Sequence, residues 1–144
     1  MRFLRPRLLL VLLPFLTAAC GGGGSTPSSP SLPSAPYSQT DLVVGTGAEA
    51  ASGRTVLVAY SGWLFDSTKP ESKGTFFDTS TAFSTQIGVG RVIAGWDRGV
   101  PGMKVGGKRL LVVPPELGYG SRGAPPTIPP NATLLFEITL LAVQ

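Results

Sequence analysis

The chain is 144 residues long, 42% hydrophobic, and carries no histidine and one cysteine. That length suits one domain with a real core, and the two residue counts together remove Ser-His-Asp and Cys-His nucleophiles, histidine-based zinc sites and an intrachain disulfide. The formal charge is +4, but Arg2, Arg5 and Arg7 supply three of the twelve basic residues, and the remaining nine stand against eight acids, so the basic character sits at the N-terminus and no nucleic-acid partner is expected.

Residues 1–20 have a basic start, an apolar run over 8–16 broken by Pro14, and Ala18-Ala19 before Cys20. This pattern predicts a secretory signal peptide, too short to span a membrane. The ending Leu16-Thr17-Ala18-Ala19-Cys20 resembles a bacterial lipobox, which implies lipidation of Cys20 and attachment to a membrane through the N-terminal lipid. Gly21 follows the cysteine in place of the Asp that favours the inner membrane, so the expected location is the cell envelope, at the outer membrane facing the periplasm. Lipidation also disposes of a lone thiol that would otherwise invite intermolecular disulfides in an oxidising compartment. Residues 21–36 are Gly, Ser, Pro and Thr with scarcely an apolar side chain and no charge, the composition of a tether. The folded unit is expected over 37–144.

Within it, residues 41–44 form a short strand candidate. Residues 54–64 alternate, with Val56, Val58 and Tyr60 on one face, which is strand periodicity. Two short strands are expected over 75–78 and 83–87, separated by Thr79-Ser80-Thr81-Ala82. Val92, Ile93, Trp96 and Val100 recur at helical spacing, and Pro101-Gly102 closes the pattern, so 92–100 is the expected helix. Residues 108–113 make a strand stopped by Pro114-Pro115, which cannot donate to a ladder. Residues 133–143 make another, with Leu134, Phe136, Ile138 and Leu140 on one side. The sum is an α+β fold, a five- or six-stranded antiparallel sheet wrapped around one short helix.

Two glycine-rich runs fail as phosphate or dinucleotide sites. Residues 102–109 match a phosphate loop up to its Lys, but Arg109 stands where Ser or Thr should hold magnesium, and a strand follows where a helix is needed. The Gly88-Val89-Gly90 pair lacks its third glycine. The carboxylates are scattered, so no metal and no cofactor is expected.

What survives is a set of aromatic and aliphatic residues with a few polar handles: Tyr60, Phe77, Asp78, Phe83, Val92, Ile93, Trp96, Tyr119, Ile128 and Phe136. Core burial is the commoner fate of such residues. Tyr119, however, lies between two glycines, and Trp96 opens a short helix where full burial is hard to arrange. Both features favour a pocket.

The motifs Val58-Ala59-Tyr60-Ser61-Gly62, Phe76-Phe77-Asp78, Val92-Ile93-Ala94-Gly95-Trp96, residues 114–120 and Ile128-Pro129-Pro130-Asn131-Ala132-Thr133-Leu134 make the chain resemble FKBP-type peptidyl-prolyl cis/trans isomerases from about residue 41 onward. The resemblance implies an FKBP-like sheet around one helix. It further implies that the backbone N–H of Ile93 and the hydroxyl of Tyr119 bind peptide carbonyls, with Asp78 beside the pocket, as the catalytic residues. Trp96 becomes the floor, Tyr60, Phe77, Phe83 and Phe136 the aromatic walls, and Val92 and Ile128 the remaining lining. Implied partners are proline-containing polypeptides of exported proteins and macrolide inhibitors such as tacrolimus. A peptide-binding chaperone module with little isomerase turnover is the alternative. The chain departs from the family in lacking the Arg that many members place between Asp78 and Phe83, which would leave Asp78 to Tyr60 or water.

Overall fold

The computed structural model describes residues 31–144. The expected signal peptide, Cys20 and residues 21–30 of the tether lie outside the described residues. Five strands, β1 (Ser38–Val43), β2 (Thr55–Phe65), β3 (Lys73–Gln86), β4 (Lys108–Val113) and β5 (Leu134–Val143), form one antiparallel sheet in the order β1-β4-β5-β2-β3. One helix, α1 (Ala94–Gly99), lies between β3 and β4 in sequence.

Alternation explains which side of the sheet is covered. Val56 and Val58 of β2, Leu111 and Val113 of β4, and Leu134, Ile138 and Leu140 of β5 are fully buried. Their neighbours on the other face are partly exposed, apart from Leu135, which is also buried. The helix covers the buried face by lying very close to β4. A Cβ added to Gly95 would meet Val113 Cγ1 at 2.5 Å, and one added to Gly99 would meet Leu111 Cδ2 at 2.6 Å. Only glycine at these two positions permits that approach.

The two short strands expected over 75–78 and 83–87 are one strand. Ser80 faces Tyr60 and Phe83 faces Val58, so three steps along β3 match two along β2. The polar run read as a break is therefore a β-bulge, tolerated because β3 is an edge strand with solvent beyond it. A second irregularity sets Gly62 opposite Asp78 and Trp63 opposite Phe76, which leaves Phe77 as the extra residue.

The helix is shorter than the expected 92–100. Ile93 is its N-cap with extended dihedrals (φ −57°, ψ 149°), so Val92 and Ile93 stay outside it, and Val100 closes it. Arg109, the residue that broke the phosphate-loop match, points inward from β4 and is buried. Its guanidinium donates to Gly99 O at 2.8 Å and pairs with Asp41 of β1 at 2.5 Å and 3.1 Å. It thereby satisfies a carbonyl at the end of α1 and ties helix, β4 and the edge strand together. The same hydrogen bonds hold the Asp41 carboxyl below its usual range.

Candidate active site

Nine of the ten expected site residues line one cavity of about 420 Å³ between α1 and the sheet, a size suited to a small ligand or a short peptide segment. Its floor is Trp96, 4% exposed. Burial that looked difficult for a short helix is supplied by aromatics from three strands. The Trp96 ring meets Tyr60 of β2 at 5.0 Å and 84°, Phe136 of β5 at 5.4 Å and 89°, and Phe83 of β3 at 6.1 Å and 81°. Phe77 stands edge-on to Phe136 at 5.5 Å. All are edge-to-face contacts, each adding about 0.5–1.5 kcal/mol beyond area burial, so the walls are rigid. The Trp96 indole N–H has no acceptor among the described residues, and an unsatisfied donor on a pocket floor calls for a functional explanation.

The bulges of β3 explain how Phe77, Asp78 and Phe83 all reach this cavity. A regular strand sends adjacent residues to opposite faces. The extra residue at Phe77 lets it share the pocket with Asp78, and the bulge near Thr81 returns Phe83 to that side. Gly62 makes room, since a Cβ there would lie 2.6 Å from the Phe77 ring.

Asp78 accepts the Tyr60 hydroxyl at 2.6 Å and the Thr79 N–H at 2.9 Å. Burial, followed by the hydrogen bond to Asp78, pushes the Tyr60 hydroxyl well above the usual tyrosine range. Burial, followed by the Asp78 charge, raises Tyr119 in the same direction. Both phenols therefore stay protonated at neutral pH and can act as donors.

Two backbone features present donors at the rim. The Ile93 carbonyl starts α1 by accepting from Trp96 N–H and Asp97 N–H, while its own N–H has no backbone acceptor among the described residues. Tyr119 follows a 3-10 turn, Pro115–Leu117, and precedes Gly120, whose φ of 58° turns the chain so that its N–H reaches Pro115 O at 2.8 Å. Tyr119 is 41% exposed at the cavity mouth.

Ile128, the tenth, is 4% exposed in the same buried cluster as Trp96 and Phe136, and exchanges backbone hydrogen bonds with Ala124 that close the 124–128 loop. Three further residues escaped the sequence reading. Gly90 and Arg91 line the cavity, and Asp97 of α1 accepts Gly88 N–H and Gly90 N–H at 2.7 Å each, one per carboxylate oxygen. Adjacency of Arg91 to Val92 was the only sequence signal for the first two. Nothing local marked Asp97, because its partners lie seven and nine residues away.

The family model for FKBP-type peptidyl-prolyl cis-trans isomerases matches residues 47–141. The chain belongs to that family. Among its relatives, an FK506-binding protein of Neisseria meningitidis serogroup A is 50% identical over 103 residues, 72% of this chain and 92% of the relative. An FK506-binding protein 1B of Neurospora crassa is 49% identical over 105 residues, 71% and 93% respectively. The crystal structure of AtFKBP13 superposes with a TM-score of 0.65 at 40% identity, covering 75% of this chain and 93% of that one. In this FKBP-type isomerase the aromatic cavity lies wholly within the matched segment, as does Asp97.

Proposed function

We propose that this isomerase rotates Xaa-Pro bonds of exported polypeptides inside the Trp96-floored cavity while a lipid on Cys20 holds it at the outer membrane, facing the periplasm. The observation that carries the catalytic part is the joint presentation of an apolar aromatic chamber and two protonated or free donors, Tyr119 Oη and Ile93 N–H, at its rim. An Xaa-Pro amide resists rotation by roughly 20 kcal/mol because its planar form has partial double-bond character. No bond is made or broken, so the enzyme needs only to bind the twisted amide better than either planar one.

The planar amide is more dipolar and is favoured by water. The dry aromatic walls withdraw that advantage, while Ile93 N–H and Tyr119 Oη grip carbonyls of the peptide as the bond turns. Asp78, held by Tyr60, keeps the chamber's one carboxylate in a fixed position. About 8 kcal/mol of such differential binding corresponds to roughly a millionfold acceleration.

Support for envelope attachment is the sequence of residues 1–36, and support for macrolide binding is that the relatives are named for binding FK506. Exchange of a Leu-Pro peptide followed by NMR with the purified protein tests the activity. Acceleration abolished by tacrolimus is expected, and exchange no faster than in buffer would overturn the reading. In cells, radiolabelled palmitate should enter the wild-type protein and not Cys20→Ala; labelling of the variant would refute lipidation at Cys20.

A further inference from the structure

Two charged residues line the cavity, Asp78 and Arg91, and their surroundings differ. The Asp78 carboxylate is held in place by the Tyr60 hydroxyl and the Thr79 N–H, which fix it without removing its charge. Arg91 is exposed and makes no ion pair or side-chain hydrogen bond among the described residues. Its backbone, by contrast, is fixed on both sides. The preceding Gly90 donates its N–H to Asp97, and the following Val92 and Ile93 run straight into the N-cap of α1. A free guanidinium is thus attached at a defined point two residues from the Ile93 N–H, roughly 7 Å along the chain. A peptide carbonyl received by that N–H brings its neighbouring side chain within reach of Arg91.

We infer that Arg91 makes this isomerase favour an acidic over a basic residue beside the proline. The inference rests on the reading of the cavity as the isomerase site and adds a substrate class to it. The contribution of Arg91, set against the fixed background of the Asp78 and Asp97 carboxylates, follows from its charge. A cation and a carboxylate about 6 Å apart in water change binding roughly three-fold, and replacing the carboxylate by an ammonium turns that attraction into a similar repulsion, about ten-fold in total. The interaction sits at an open rim, so salt must weaken it; at about 1 M the screening length is only about 3 Å.

Two peptide series test the selectivity with purified protein, one carrying Glu, Leu or Lys immediately before proline and the other immediately after. Each kcat/KM is normalised to the uncatalysed exchange of the same peptide. At low salt Glu should exceed Lys by about ten-fold in at least one series, and the ratio should approach one at about 1 M NaCl. Arg91→Glu should invert the ratio and Arg91→Met bring it near one. Turnover of the Leu peptides reports the isomerase activity separately. A Glu-to-Lys ratio of one at low salt in both series, with Leu peptides turned over, overturns the selectivity and leaves the activity standing. A ratio unchanged in Arg91→Met overturns the assignment to Arg91. Leu peptides turned over no faster than in buffer would remove the isomerase reading and the inference with it.

Discussion

Tyr119 and Tyr60 hold hydroxyls in the same cavity with different partners. Tyr60 is committed to Asp78 at 2.6 Å, whereas Tyr119 is half-exposed at the mouth. Tyr119→Phe should therefore lower kcat/KM by about ten-fold, the value of one hydrogen bond of about 1.4 kcal/mol, with little effect on the urea midpoint. Tyr60→Phe should disturb both, because it removes the hydroxyl partner of Asp78. The raised pKa of each phenol means that the protonated donor persists beyond the ordinary tyrosine range. Activity should then be flat from about pH 6 to 9 when measured with an uncharged peptide. A decline centred in that interval would show that a group other than these phenols titrates during turnover. The residue types of this site were legible because aromatic walls and a glycine-flanked tyrosine have few other uses. The role of Ile128 was not legible in the same way, because burial in a core and burial in a pocket wall require the same side chain.

At the scale of elements, α1 is six residues long, too short to persist without tertiary support. Its position depends on Gly95 and Gly99 against β4 and on Arg109 at its end. Gly95→Ala should destabilise by about 1–3 kcal/mol through overpacking against Val113, read as a lowered denaturation midpoint. Asp97→Ala should act differently, since it releases the loop that carries Gly90, Arg91 and Val92. We expect a KM several-fold higher with kcat nearly retained, and partial restoration in Asp97→Asn, whose amide oxygen accepts one of the two N–H groups. Strands β2, β4 and β5 were readable because each buries one face of an alternating pattern. β3 was read as two strands because a bulge is a register event between strands, and one strand's residues carry no record of its partner's count. The helix start was placed early because Val92 and Ile93 are apolar for the pocket's sake and not for a helical stripe.

For the whole molecule, the ion pairs outside the pocket set the response to acid. Asp41 is held low by Arg109, and Glu137 by Lys108 and Lys73, with contacts of 2.5–3.1 Å. A carboxylate whose folded pKa lies below its unfolded one contributes stability that is complete above the unfolded value, about 4, and is lost as pH falls through the folded value. The urea midpoint should therefore be level at neutral pH and drop below about pH 4. Asp41→Asn combined with Glu137→Gln should be less stable at pH 7 and show a shallower drop; a double variant with the wild-type profile would mean that these pairs do not govern it. Exposure of Asp41 keeps its contribution modest.

This enzyme lowers a rotational barrier with no proton in flight, so that a chain without histidine suffices. The solvent deuterium isotope effect on kcat/KM for a Leu-Pro peptide addresses it most directly, because general acid–base catalysis would place a transferring proton in the transition state. A ratio between H2O and D2O close to one is expected. A normal effect of about two or more would contradict it.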